Sequence, residues 1–275
     1  MSANCEIKID CLKVINYAVQ QNRIPFVRSI QVYNGTDSAL EDCRLRVSFM
    51  PEYAQDIEIA IGEIKAGAGL TLKDANIVFS GDYLSSMTER VAGQLSATLV
   101  SGEDDVCTVA EQIDILTFDE WPGTAIYPEI IASFVTPNHP AIRPIIKRAS
   151  EILEKWNING AIDAYYSNSP EKVKYLMAAI FEAVKEYRIS YCWVPASYSS
   201  SGQRIRLAHT ILADKLACCL DMACLYASCL ESAGLNPIIV IQNDHAFAGC
   251  HLMDRLLQYP SSHDASLIMK LCAGY

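Results

Sequence analysis

Two residues near the carboxyl end of the chain, Cys219 and His245, have the types and surroundings expected of a nucleophile and its base. Cys219 lies in the sequence ACCLDMA (217–223), and His245 lies in NDHAFAG (243–249). A cysteine attacks as the thiolate, which is stabilised at the N-terminus of a helix and beside an imidazolium. We therefore predict that Cys219 is a nucleophile and that His245 takes its proton.

The elements that hold these residues are predicted to be a helix followed by two strands. Residues 220–233 are mostly helix formers, Gly234 occupies a C-cap position, and Pro237 prevents the helix from continuing. Residues 237–242 are rich in β-branched side chains and predict a buried strand, and a second strand is expected to carry His245. In this order of elements, the start of the helix and a residue on a neighbouring strand can converge.

Both roles have a competing candidate. Cys218 competes with Cys219 as the nucleophile, but the Cys-x-Asp spacing to Asp221 favours Cys219. His251 is a second candidate base, because an even separation from His245 puts both residues on one face of a regular strand.

A third group usually orients the base in such a site. Asp254 and Asp264 are the downstream acids, and we prefer Asp264 because it follows the turn-like sequence YPSSH (259–263), whereas Asp254 directly continues the strand.

Gln203 and Asp221 are supporting candidates. The Gln203 amide can donate to an oxyanion together with backbone N–H groups at the helix start, or it can be a loop residue without such a role. A carboxylate at Asp221 is favoured by the helix dipole whether or not it takes part in chemistry.

These motifs resemble the transglutaminase-like superfamily, whose fold is related to papain. The segments 219–221 (CLD) and 245–247 (HAF), with a helix and a strand between them, are similar to the Gly-x-Cys-x-Asp and His-Ala-Trp motifs of that superfamily. Ala217 stands in place of the usual glycine, and Phe247 in place of the usual tryptophan. The resemblance implies attack of the cysteine on an amide carbonyl of a protein or peptide substrate, with His245 as base, Asp264 as orienting acid and no cofactor.

A second resemblance extends over nearly the whole chain. Several segments together are similar to the N-terminal region of very large bacterial helicase-related proteins, in which a transglutaminase-like segment precedes a superfamily 1 helicase and a nuclease-like domain. These segments are 21–22, 120–123, 134–140, 202–206 and 245–249. The resemblance implies an alternative function, a non-catalytic recognition or regulatory region. It also implies that the polypeptide continues into further domains, which agrees with the short sheet predicted after Cys219.

The first part of the chain is predicted to be an antiparallel β-sandwich of immunoglobulin-like shape. Apolar and polar residues alternate with period two between residues 23 and 118, most clearly over 43–49, and turn sequences such as NGTD (34–37) separate the runs. The sequence EWPG (120–123) interrupts the alternation. The predicted fold class is therefore α+β, with a β-sandwich domain at 1–120 and a helical, transglutaminase-like α+β domain at 121–275.

Two helices are predicted at the start of the second domain. After Pro140, apolar residues recur every three or four positions from Ile142 to Trp156. The next helix is expected to begin at Ser169-Pro170-Glu171, an N-cap followed by a first-turn proline and an acid, and to end near Arg188. The polar segment 197–203 is expected to be a loop beside the cleft.

Composition and charge exclude several classes of function. With 51% apolar and 20% charged residues the chain is typical of a globular protein, and no stretch is long and apolar enough to predict a membrane span. A formal net charge of −10 argues against general nucleic-acid binding. The local basic candidates are Lys147-Arg148, Lys172 with Lys174, and Arg204 with Arg206.

The eleven cysteines are expected to be free thiols. The N-terminus lacks a secretory signal and no Cys-x-x-Cys pair occurs, so we predict a cytoplasmic protein. Cys218, Cys219, Cys224 and Cys229 lie along one predicted helix and point in different directions, which argues against a metal site.

Overall fold

Strands with period-two alternation dominate the first of two units into which the chain divides, Met1–Glu120 and Trp121–Tyr275. The structure, a computed structural model, describes residues 5–73, 75–194, 198 and 202–272. Helices and several sheets are present, so the α+β class predicted from the sequence is confirmed.

The first unit contains the strands and two short helices of the amino-terminal 120 residues. In chain order they are β1 (Glu6–Cys11), β2 (Val14–Ile15), α1 (Tyr17–Gln21), β3 (Val27–Tyr33), β4 (Leu40–Met50), β5 (Ile57–Ile64), β6 (Gly69–Lys73), α2 (Gly81–Ser86), β7 (Val91–Ser101) and β8 (Asp104–Ile115), with β9 (Glu120–Trp121) at the boundary. One sheet has the order β1-β3-β6 and the other β2-β8-β7-β4-β5. The pairing is antiparallel in both sheets except between β2 and β8, which are parallel.

The core of the first unit comes from the alternation predicted for residues 43–49. On β4 and β7, Leu45 lies opposite Leu99 and Phe49 lies opposite Leu95, and all four side chains are buried. Strand β1 of the smaller sheet contacts β7 and β8 of the larger one. Strands β4 and β7 therefore each bury one face, as period-two alternation requires.

The second unit is built mainly from helices. It contains a 3-10 helix (Pro128–Phe134), α3 (Arg143–Lys155), α4 (Pro170–Lys185), β10 (Ser190–Tyr191), β11 (Gln203–Arg204), α5 (Ala208–Asp214), β12 (Leu216–Ala217), α6 (Cys219–Ser232), β13 (Pro237–Ile241), β14 (Ala246–Cys250) and α7 (Ser266–Cys272). Strands β10 and β12 pair in parallel, and β13 and β14 form an antiparallel hairpin.

The first two α-helices of this unit form largely where the sequence predicts them. The Ser169 side chain caps α4 by accepting a hydrogen bond from the Lys172 N–H, and Pro170 occupies the first turn. Helix α3 begins at Arg143, and Trp156, expected on its buried face, is its C-cap and is 40% exposed. The apolar face of α3 still packs on α4, because its other repeating positions are buried.

Helix α6 begins at Cys219, as predicted, and ends before Gly234, which adopts a φ of +77°. It contacts α3 and α4 as well as β13 and β14. A helix enclosed in this way needs apolar residues all round, and Leu220, Leu225 and Leu230 are all buried. One expectation is corrected here, since His245 lies in the bend that precedes β14 rather than on the strand.

Candidate functional site

The start of α6 is fixed by a buried carboxylate. Asp221 is fully buried, and its Oδ2 accepts a hydrogen bond of 2.9 Å from the Cys218 N–H. Arg206 also donates to Asp221, from its main chain and from its guanidinium. The carboxylate therefore satisfies a donor at the helix N-terminus and joins the preceding loop to α6. These contacts give Asp221 a structural role.

The two adjacent cysteines differ in their access to solvent. Cys218 is 2% exposed, and burial raises the pKa of its thiol to about 11. The Cys219 side chain, the first of the helix, is only partly buried. Because the thiolate is the attacking form and a sealed thiol cannot meet a substrate, Cys219 is the better nucleophile of the pair.

A tyrosine hydroxyl contacts the Cys219 thiol. The Oη atom of Tyr198 lies 3.3 Å from the Sγ atom of Cys219. Burial, followed by the interaction with Cys219, raises the pKa of Tyr198 well above its usual range, so this phenol stays protonated. Tyr191 also interacts with Cys219, and the parallel β10–β12 pairing sets it opposite Ala217. Desolvation and the nearby thiols, Cys219 first, raise the pKa of Tyr191 as well.

Two close backbone approaches hold Tyr198 in place. Gly123 and Gly202 have φ values of +99° and +75°. A Cβ on Gly123 would lie 2.4 Å from the Tyr198 carbonyl oxygen, and one on Gly202 would lie 2.4 Å from the Trp121 carbonyl oxygen. The Thr124 N–H donates to the Tyr198 carbonyl at 2.6 Å. Only glycine fits at the two crossing points. Of the loop predicted at 197–203, residues 197 and 199–201 lie outside the described residues.

His245 lies in the turn of the hairpin formed by β13 and β14. Helix α6 has 14 residues and is therefore about 21 Å long. At its C-terminal end the His251 N–H donates to the Asn236 carbonyl at 3.1 Å, which anchors the end of β14 there. Both strands of the hairpin contact α6, and the turn with His245 is at the opposite end of the hairpin from His251.

No hydrogen bond or ion pair joins His245 to Cys219 within the part of the chain that the structure describes. The His245 side chain is exposed, and its ring stacks on Phe247 with a centroid distance of 6.4 Å. The imidazole and the thiol therefore do not make, among the described residues, the contact that a proton transfer requires.

The alternative base and the alternative acid lie at the other end of α6. His251 is held beside Asn236, and Asp254 accepts a hydrogen bond of 3.2 Å from the Asn236 side chain. Asn236 follows the end of the helix, about 20 Å from its first residue. His251 is therefore not positioned to act on Cys219.

Asp264 caps α7. Its Oδ1 accepts a hydrogen bond of 2.9 Å from the Ser266 N–H, and hydrogen bonds from the Ser266 side chain and main chain lower the pKa of this exposed carboxyl. No hydrogen bond between Asp264 and His245 occurs among the described residues. The structure does not bring this preferred acid into contact with the imidazole.

Gln203 is buried beside Cys218. Its Nε2 lies 3.3 Å from the Cys218 sulfur, whereas its Oε1 has no hydrogen-bond partner among the described residues. Side-chain amide orientation is assigned from such contacts, and in either orientation the amide contacts Cys218. The Gln203 amide, which we expected to donate to an oxyanion, contacts the Cys218 thiol instead.

Two of the basic residues that could mark a nucleic-acid surface form ion pairs with acidic residues of the same unit. Arg148 forms ion pairs with Glu151 and Glu186, and Lys172 pairs with Asp163 at 2.6 Å. In the ranges described, no three His, Cys, Asp or Glu side chains converge as metal ligands. The same ranges contain no helix with the length and apolar character needed to cross a bilayer.

The sequence motif did not reveal the tyrosines around Cys219. Tyr198 is 21 positions from Cys219, and Tyr191 reaches it only through the parallel pairing of two-residue strands. Gly123 and Gly202 were a usable signal, because a glycine permits close backbone approach.

Comparison with known proteins leaves the chain without an assigned family. No protein-family model and no curated protein matches it. A structure of a chaperone–tip adhesin complex for biogenesis of CFA/I fimbriae is 11% identical, with 43% of this chain and 58% of that chain covered and a TM-score of 0.22. The sporulation control protein Spo0M from Bacillus subtilis is 12% identical, with 49% and 55% covered and a TM-score of 0.22. The matches span little more than half the length of those chains, and similarity this low assigns neither a family nor a function.

Proposed function

We propose that the second unit is a transglutaminase-like domain that hydrolyses or transfers amides through Cys219. The supporting observation is the contrast at the start of α6, where the Cys219 thiol is partly exposed and the Cys218 thiol is sealed. A helix N-terminus favours the negative charge of a thiolate. The proposal includes an immunoglobulin-like sandwich for the first unit, with its two sheets as support.

In the proposed reaction the Cys219 thiolate attacks an amide carbonyl and forms a C–S bond. The C–N bond of the tetrahedral intermediate then breaks, and the leaving amine takes the proton that His245 received from the thiol. Water or a second amine attacks the thioester and releases Cys219. Backbone N–H groups at the start of α6 stabilise the oxyanion, since they are not all satisfied within the helix.

His245 enters as the base because it lies in the His-Ala-Phe motif, and the hairpin whose turn contains it contacts α6. Its exposed imidazole must turn towards Cys219 when substrate binds. Asp264 can orient it only if the carboxylate leaves the cap of α7. We therefore assign the central role to Cys219 and His245, and a conditional one to Asp264.

The test uses p-nitrophenyl acetate, an activated ester that requires no knowledge of the natural substrate. We expect a burst of p-nitrophenol and an acetyl thioester on the Cys219 peptide, identified by mass spectrometry. Cys219→Ala abolishes the adduct, and the matched variant Cys218→Ala retains it. An adduct on other thiols alone, or equal bursts from both variants, would refute a nucleophilic Cys219.

A second candidate is a non-catalytic recognition region of a helicase-linked bacterial protein. The exposed His245 without a contact to the thiol, and Asp264 engaged at α7, favour it. This function predicts no thioester and slow, uniform thiol labelling.

For either function we propose a reducing, cytoplasmic location, supported by the ten free cysteines of the described chain.

A further inference from the structure

We propose that Tyr198 is a positioning residue that stabilises the Cys219 thiolate by donating a hydrogen bond from its phenol to the sulfur. The inference rests on the proposed function of Cys219 and adds a residue outside the sequence motif. The contact is direct, at 3.3 Å between Oη and Sγ.

The direction of this hydrogen bond follows from the environment of the phenol. Tyr198 is 6% exposed, and burial raises its pKa, so the hydroxyl carries its proton at neutral pH. A thiolate has no proton to donate. Once Cys219 loses its proton to His245 or to solvent, Tyr198 is therefore the donor and sulfur the acceptor.

Tyr198 is held before the thiolate forms. Its carbonyl oxygen accepts hydrogen bonds from the Thr124 N–H at 2.6 Å and from the Thr124 Oγ1 at 3.2 Å. Its ring packs on Trp121 with a centroid distance of 6.1 Å, and the close approach at Gly123 leaves no room for displacement. A donor that is already oriented needs no reorganisation when charge develops.

The other groups near the thiol are less suited to this role. Tyr191 is 63% exposed, so water competes for its hydroxyl. Arg206 is paired with Asp221, which neutralises its charge. The titratable and charged groups around Cys219 include Tyr191 and Cys192 from β10 and its extension, Tyr198, Cys218, and Asp221 with Arg206.

The experiment measures alkylation of Cys219 by iodoacetamide as a function of pH in the full chain, with each cysteine quantified by mass spectrometry. Tyr198→Phe removes one oxygen and keeps the ring. We expect the midpoint of the pH profile to rise by about one to two units, the usual effect of a hydrogen bond to a charged group. Tyr226→Phe is the matched control, because its buried phenol donates to the Met177 carbonyl at 2.8 Å, and it should leave the midpoint unchanged.

A folded Tyr198→Phe protein with an unchanged midpoint overturns the proposal. If that variant does not fold, 3-fluorotyrosine at position 198 retains the shape and makes the phenol a stronger donor. The midpoint should then fall, and a constant or higher midpoint contradicts the role of Tyr198. The pH profile is independent of turnover, so a shifted midpoint without an acetyl thioester supports Tyr198 and refutes the proposed function.

Discussion

The carboxylate of Asp221 accepts hydrogen bonds from both ends of Arg206, from the main-chain N–H at 2.8 Å and from the guanidinium at 3.0 Å. Asp221 is fully buried, whereas the Arg206 side chain is 34% exposed. The pair connects the loop that follows Gln203 to the first turn of α6. It thereby fixes the backbone from which Cys219 projects.

Asp221→Asn should destabilise the second unit. The asparagine amide would place a donor against the donors of Arg206 or Cys218 and would leave the guanidinium without its counter-charge. We expect a loss of about 3 kcal/mol in the free energy of unfolding, as for other buried pairs that lose one partner. All three tryptophans, Trp121, Trp156 and Trp193, lie in the second unit, so tryptophan fluorescence in urea reports on it selectively.

The matched control for this variant is Asp214→Asn at the exposed end of α5. Its free energy of unfolding should stay within about 0.5 kcal/mol of the parent value. Equal effects of the two substitutions would show that Asp221 does not hold the start of α6.

Gly202→Ala should both destabilise the protein and disturb the thiol. The new Cβ would lie 2.4 Å from the Trp121 carbonyl oxygen, at a φ of +75°. Left-handed strain alone costs about 1 to 2 kcal/mol, and the backbone clash adds to it. We expect a loss of more than about 2 kcal/mol in urea denaturation and a higher pH midpoint for Cys219 alkylation, because the backbone beside Tyr198 must shift.

Gly67→Ala separates strain from clash, since Gly67 has a φ of +69° and a Cβ there would meet nothing within 4 Å. This control should lose only about 1 kcal/mol by circular dichroism in urea and keep the alkylation midpoint of the parent. A Gly202→Ala protein that behaves like the control would contradict the close crossing at Trp121.

The stability of the second unit should decrease as the pH falls through the range of histidine. Burial, and then the charge of Arg255, lower the pKa of His251 in the folded state. The unfolded chain therefore binds a proton that the folded one resists, and the free energy of unfolding falls as the pH drops below about 6.5. His251→Gln should flatten this slope in urea titrations at about pH 7.5 and about pH 5.5.

The control for His251 is the exposed His263→Gln, which should preserve the slope. An identical pH dependence in the two variants would mean that His251 does not titrate differently in the folded and unfolded chains.

Local signals predicted the element that carries the nucleophile. Ser169 and Gly234 act as caps through contacts within a few residues, and the start of α6 at Cys219 follows from the same kind of information. The strands of β4 and β7 were predictable because alternation records which face is buried. The immunoglobulin-like and transglutaminase-like assignments remain predictions.

The surroundings of the thiol could not be predicted in this way. The contact between Tyr198 and Cys219 depends on two glycine crossings and on Thr124, which is 74 positions from Tyr198. Asp264 accepts a local hydrogen bond from Ser266 that competes with an orienting role, and that role stays a prediction. The spacing of residue types along the chain does not show which residues so far apart in sequence come into contact.

We propose that the Cys219 thiol reacts with the help of His245. The most direct measurement compares iodoacetamide labelling of Cys219 in the parent protein and in His245→Ala at about pH 6, with the partly exposed Cys5 and Cys192 as internal references. We expect the labelling rate of Cys219 to be at least about ten-fold higher than that of both references, and to fall by about ten-fold when the imidazole is removed. Equal labelling of the three thiols, or a rate at Cys219 that His245→Ala leaves unchanged, would contradict it.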